Sequence, residues 1–232
     1  LGDVYKRQVI NNIKQNINNY TKNEILAIIP YGSQVYKNKQ SEDYDFMVIV
    51  DSPFAEKTIH NRSDIDITIV DKHTFLEQCE QNHVRALELL FTPDSVDNYY
   101  AKPEFKSEMF CLRKSTLNPS FMRTQFSQKT SNSYVKAKKK IILNDDYDYM
   151  VSLKSLWHSI RILDFGKQLL EKGNIDFSSM NDLYKEIEND YQKLHHEDKN
   201  EMWNKIHGKY KPIFNEKHSE LKKLCPKEKK SL

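Results

Sequence analysis

Apolar positions along the chain change period as it proceeds. From Val9 onward, Ile10, Ile13, Ile17 and Tyr20 recur at helical spacing, which predicts an amphipathic helix. Its many Asn residues leave it only modestly stable unless it docks. Ile25 to Ile29 is then a short continuous apolar run ended by Pro30, the pattern of a strand covered on both faces. Phe46 to Val50 and Ile65 to Val70 repeat the pattern, the last rich in β-branched residues. Three core strands are predicted, with Tyr31-Gly32-Ser33 as a break able to turn the first of them into a helix.

Helical periodicity returns with Phe75, Leu76, Cys79, Val84 and Leu87, broken near Asn82 and closed by Thr92-Pro93-Asp94. The sheet-building part is expected to end near Cys111. Beyond it, Tyr149, Leu153, Leu156, Trp157, Ile160 and Leu163 trace one face of a long helix that Gly173 can cap. Further helices are read from Leu183, Ile187, Tyr191 and Leu194, and from Trp203, Ile206 and Tyr210. An α/β domain over 1–112 followed by an all-helical domain over 113–232 is expected. Leu1 to Gln8 resembles a translated leader rather than native sequence, and the fold is read without it.

Composition narrows the class. Of 232 residues, 38% are hydrophobic and 30% charged, a globular balance, and no apolar run approaches the roughly 18 residues of a spanning helix. No membrane partner is expected, and the lack of a secretory pattern predicts a cytoplasmic location. Cys79, Cys111 and Cys225 lack metal-ligand spacing and read as reduced thiols. The net charge of +3 says little by itself. Lys136, Lys138, Lys139 and Lys140 form one basic cluster, and Lys222, Lys223, Lys227, Lys229 and Lys230 another, read as a solvated terminus.

The informative segment is Gly32-Ser33, a loop, then Asp43-Tyr44-Asp45 running into Phe46-Met47-Val48-Ile49-Val50. Alternate residues on a strand project to one side about 6.6 Å apart. Two carboxylates so placed repel each other, and a cation neutralises them. Magnesium prefers oxygen ligands and leaves positions for phosphate and water. Gly32 permits close approach of backbone to a polyphosphate, and Ser33 adds a hydroxyl and amides at a helix start. A third carboxylate is expected on a neighbouring strand, where Asp64 and Asp66 both qualify.

Gly-Ser followed by a spaced Asp-x-Asp before an apolar strand resembles the polymerase-beta superfamily of nucleotidyltransferases. Asp66-Ile67-Thr68-Ile69-Val70 leading to Phe75, then Ala86-Leu87-Glu88-Leu89-Leu90-Phe91, is similar to the predicted nucleotidyltransferase family of bacteria and tailed phages. Lys154-Ser155-Leu156-Trp157-His158-Ser159-Ile160-Arg161 and Leu169-Leu170-Glu171-Lys172-Gly173 resemble that family's helical half. The resemblance implies a mixed sheet flanked by helices, Mg2+ (with Mn2+ as substitute) on Asp43, Asp45 and Asp66, and the triphosphate of an NTP on Gly32 and Ser33. It ranks Asp66 above Asp64. It also implies transfer of a nucleoside monophosphate, with release of pyrophosphate, to an unidentified acceptor: a small molecule, a protein or an RNA. Two positions depart from the family pattern: Lys37 follows Tyr36 where Gly is usual, and Glu42 adds an acid before Asp43.

Other features are weaker. Lys154, His158 and Arg161 share one helical face, a wet surface by composition and a phosphate or acceptor site by resemblance. Asp146-Tyr147-Asp148 precedes a helix and reads as N-terminal charge. Arg123, Lys129, Tyr134 and Lys136 mix basic and aromatic character, as a nucleic-acid face or a polar helix does. Trp157 and Trp203 read as core anchors, and His195 and His196 lack ligand spacing. The alternative from another class is a non-catalytic module of the same fold that grips nucleotide or RNA, in a toxin-antitoxin or phage-defence setting.

Overall fold

The computed structural model describes residues 10–11, 13–15, 17, 24–36, 44–59 and 65–225, and the backbone alone of His60 and Asn61. Two compact units divide the chain, Leu1–Thr116 and Leu117–Leu232.

In the first unit, β1 (Ile25–Tyr31), β2 (Tyr44–Val50), β3 (Lys57–Asn61), β4 (Ile65–Asp71) and β5 (Tyr100–Ala101) form a sheet in the order β3-β4-β2-β1-β5. The β2/β4 pair is parallel and the other pairs are antiparallel, so the sheet is mixed. One face carries Ile28, Phe46, Val48, Val50, Ile67 and Ile69, and packs against Ile13 and Ile17 of the N-terminal helical segment. That docking is what an Asn-rich helix needs to persist. Ala27, Ile29, Met47, Ile49 and Val70 are buried on the opposite face, where α2 (Lys72–Glu80) and α3 (Val84–Phe91) pack on β1, β2 and β4.

All three predicted strands are present, but β1 runs on through Pro30 to Tyr31 instead of stopping. Proline cannot donate to a ladder and is tolerated where a strand edge is open. β5 pairs with β1 only at Ala27 and Ile28, so Pro30 lies past the paired stretch of that edge. β3, with the sequence KTIHN, offers no apolar run and was invisible to periodicity; it is an edge strand held by pairing with β4.

The break between α2 and α3 falls at Asn82, which takes a left-handed φ of +54°. Its buried amide donates to the carbonyls of Cys79, Glu80 and Thr116 at 2.8–3.0 Å. Asn is among the few residues that tolerate this conformation, and here it also satisfies carbonyls left over at a helix end. Asp71 caps α2 by accepting from the backbone N–H and hydroxyl of Thr74. The unit closes with α4 (Pro103–Ser115).

The second unit is helical: α5 (Pro119–Ile142), α6 (Tyr149–Lys172), α7 (Asn181–Leu194) and α8 (Lys199–Leu224). Asp148 caps α6 by accepting from the Val151 N–H at 2.9 Å, and Gly173 ends it at φ +65°. Trp157 and Trp203 are both buried, and the Trp157 indole donates to the Met180 carbonyl at 2.9 Å. α5, α6 and α8 approach closely at Gly166, where a Cβ would lie 2.7 Å from the Phe126 ring and 3.1 Å from Leu221. No helix among the described residues is long and apolar enough to cross a membrane.

Candidate functional site

Strand register sets up the site. Tyr31 on β1 lies opposite Asp45 on β2, and Asp45 lies opposite Asp66 on β4. Directly opposed residues point to the same face of a sheet, so the three side chains form a row across strands spaced about 4.8 Å apart. That face is the one opposite the Phe46, Val48 and Val50 core, because side chains alternate along each strand. Asp45 and Asp66 are both half-buried. Of the predicted ligands, the structure brings these two together; Asp43 lies outside the described residues, as do Asp64, Glu42 and Lys37. Among the described residues, no group of three His, Cys, Asp or Glu side chains is placed to hold a metal ion.

Gly32 follows Tyr31 with φ +74°, in the left-handed region that favours glycine. A Cβ there would stand 2.7 Å from Oδ2 of Asp45, so only glycine lets the backbone turn against that carboxylate. The turn leads into α1 (Ser33–Tyr36), where Val35 and Tyr36 donate back to the Gly32 carbonyl. Gln34 ties this turn to β2 by donating its side-chain amide to the Asp45 carbonyl at 3.1 Å. Tyr36 is buried and donates its hydroxyl to Glu88 at 2.8 Å. Ser33 is half-buried at the start of α1.

Sequence reasoning missed Tyr31. Burial raises its phenol pKa, a hydrogen bond with Thr68 opposes that rise, the carboxylates of Asp45 and Asp66 raise it further, and Arg85 lowers it. The phenol therefore stands among both carboxylates and a cation. Arg85 in turn makes a two-pronged pair with Glu56, at 2.8 and 3.0 Å. Thr68, two residues beyond Asp66 on the same face, also shares a hydroxyl contact of 3.1 Å with Thr58. A tyrosine before a glycine carries no signal in one dimension, since its role depends on which strand β1 pairs with.

The other predicted residues lie in the second unit, on α6. Arg161 is 1% exposed, and its guanidinium donates to Nδ1 of His158 at 2.7 Å. It lies over the rings of Trp157 and Phe165, 4.7 and 5.1 Å from their centres. Burial, then Arg161, Lys129 and Lys136, hold the His158 pKa well below the usual imidazole range. The ring is therefore a neutral acceptor for the guanidinium. Lys154 is exposed one turn earlier, and no hydrogen bond or ion pair among the described residues joins it to either.

No protein-family model matches the chain, and no curated protein matches it. Among solved structures, it is similar to the crystal structure of a nucleotidyltransferase-like protein from Exiguobacterium sibiricum 255-15. Identity is 12% and the TM-score 0.37, over 94% of this chain and 77% of that one.

Proposed function

We propose that the chain is a metal-dependent nucleotidyltransferase. The observation that supports this reading is the in-register pairing of Asp45 with Asp66 beside a left-handed glycine turn. Two neighbouring carboxylates offer only hard oxygen donors, a set that fits Mg2+ or Mn2+. Asp43, two residues before Asp45, is the proposed third ligand. When bound, the metal would neutralise phosphate charge and draw the nucleotide to the carboxylates.

The chain's own groups have distinct proposed roles. Gly32 gives a triphosphate access to backbone without a side chain in the way, and Ser33 offers its hydroxyl. An acceptor hydroxyl would attack the α-phosphorus. Its oxygen forms the new P–O bond, the α–β bridging bond breaks, pyrophosphate leaves, and Asp66 is proposed to take the acceptor's proton. In the second unit, Lys154 is proposed to meet an anionic group, since it is exposed where Arg161 is not.

The test is turnover. The purified 232-residue chain is incubated with each labelled nucleoside triphosphate, Mg2+ or Mn2+ and fractionated cell extract, and pyrophosphate and labelled acceptor are measured. Release that drops about 1,000-fold or more in Asp45→Ala and in Asp66→Ala supports the reading. Nucleotide binding without turnover, unchanged in Asp45→Ala, would replace it with a non-catalytic binding module.

A further inference from the structure

The hydrogen bonds that join the most distant parts of the helical unit's sequence run along one seam. On α5, Arg123, Ser127, Tyr134 and Lys138 stand at offsets of 0, 4, 11 and 15 residues, and on α8, His207, Lys211, His218 and Lys222 stand at the same offsets. The rows run antiparallel. Arg123 donates to the Lys222 and Cys225 carbonyls, Ser127 meets Nε2 of His218 at 2.8 Å, and Tyr134 meets Nδ1 of His207 at 3.1 Å. Lys211 lies over the rings of Tyr134 and Phe214, 4.4 Å from each centre.

The row is cationic along its whole length. α5 contains no acidic residue over its 24 positions. Elsewhere on α8, three lysines are matched, Lys205 to Glu197, Lys209 to Glu186 and Asp190, and Lys217 to Asp164 and Glu220, while Lys199 bonds to Asn144 and Lys223 has no carboxylate partner among the described residues. Among the described residues, Lys138, Lys211 and Lys222 have no carboxylate partner. Both histidines register this field: burial first, then Lys211 and Lys138, lower the His207 pKa, and burial, then Lys222, Lys211 and Arg123, lower that of His218. Arg123 is accounted for, because it caps the C-terminal carbonyls of α8. Lys138 and Lys222 have no such structural duty, and Lys211 has only its ring contacts.

We propose that this seam is a docking face for the phosphodiester backbone of a nucleic acid. Fifteen residues of helix rise about 22 Å, long enough to meet several successive phosphates. Tyr134, Trp203 and Phe214 are 7%, 4% and 3% exposed. They are too buried to stack on bases or to enter a bilayer, so the face presents charge and hydrogen bonds alone. Binding of that kind is sequence-tolerant and strongly salt-dependent. The proposal does not depend on the carboxylate chemistry of the first unit.

The experiment is fluorescence anisotropy of the full chain with a short single-stranded RNA and a short DNA duplex, and co-sedimentation with phosphatidylserine vesicles. Salt is titrated between about 50 and 200 mM. The Lys138→Gln/Lys211→Gln/Lys222→Gln variant should bind at least about 10-fold more weakly. On RNA, its log–log salt slope should be shallower by about 2, near 0.7 for each phosphate no longer neutralised. A control of equal net charge, Lys185→Gln/Lys205→Gln/Lys209→Gln, removes paired lysines and should bind within about two-fold of the parent. The Lys138→Gln/Lys222→Gln variant repeats the test with only surface positions changed. The relative strength of the RNA and DNA arms identifies the source of the backbone. Equal losses in control and seam variants, no salt dependence, or binding to vesicles in preference to both nucleic acids would overturn the proposal. Asp45→Ala should bind nucleic acid like the parent, which separates this result from any failure of the nucleotidyltransferase reading.

Discussion

Strand pairing sets two carboxylates side by side in the first unit, whereas helical repeat lays out a row of cations in the second. The difference is one of tolerance. Asp45 and Asp66 are neighbours because seven consecutive residue pairs of β2 and β4 are locked in parallel register, so their placement is all-or-none. The cations of the row are spread along α5 and α8 over about 22 Å, and losing one leaves the others where they were. The first arrangement suits chemistry that needs atoms fixed to a fraction of an ångström, and the second suits adhesion to a repeating polyanion.

Among substitutions that leave both carboxylates in the chain, the largest effect is expected from Gly32→Ala, which tests how sharply the first arrangement is fixed. The new methyl would meet Oδ2 of Asp45 at 2.7 Å from a left-handed backbone. Displacing that carboxylate by an ångström should cut the proposed transfer about 100-fold, with a fall in melting temperature from about 1–2 kcal/mol of backbone strain. An active, fully stable variant would show that the turn need not touch the carboxylate.

Gly166→Ala carries the comparison into the helical unit. Helix propensity favours alanine by about 1 kcal/mol, but a Cβ 2.7 Å from Phe126 overpacks the junction by about 1–3 kcal/mol. The net expectation is destabilisation, seen as a melting temperature lower by a few degrees. A stabilised variant would mean that the packing of α5, α6 and α8 yields more readily than a close-packed interior should.

Acidification should loosen the helical unit next. The His158, His207 and His218 pKa values are all lowered in the folded chain. Below about pH 6.5 the unfolded chain takes up protons that the folded one resists. The stability these neutral imidazoles contribute is therefore complete above that pH and declines as pH falls through it. Denaturant unfolding followed by circular dichroism should show the decline, and His158→Gln should flatten it. Smallest of all, Gly208→Ala, in a helical site with nothing within 4 Å of the new methyl, should stabilise by about 0.5–1 kcal/mol.

Where a signal was local, the sequence made it readable. The apolar runs bearing Asp45 and Asp66 announced strands, Asn82 marked a helix break, and Asp148 and Gly173 bounded α6. What escaped was set by partners distant in the chain. The polar stretch KTIHN becomes β3 only through β4. Tyr31 joins the carboxylates only through the register of β1 on β2. α8 runs through Pro212 to Leu224, beyond the last predicted anchor at Tyr210. The matched rows of α5 and α8 lie up to 99 residues apart in sequence, as at Arg123 and Lys222.

The parallel pairing of β2 with β4 has a consequence for how such a chain can change over generations. A slip of one position would exchange Phe46, Val48 and Val50 with Met47 and Ile49 between the two buried faces of the sheet, spoiling the packing of both at the same moment that it parted Asp45 from Asp66. Any ancestor with misaligned strands would have been purged for its broken core before its lost chemistry could matter, so selection for packing alone also preserves the acidic pair.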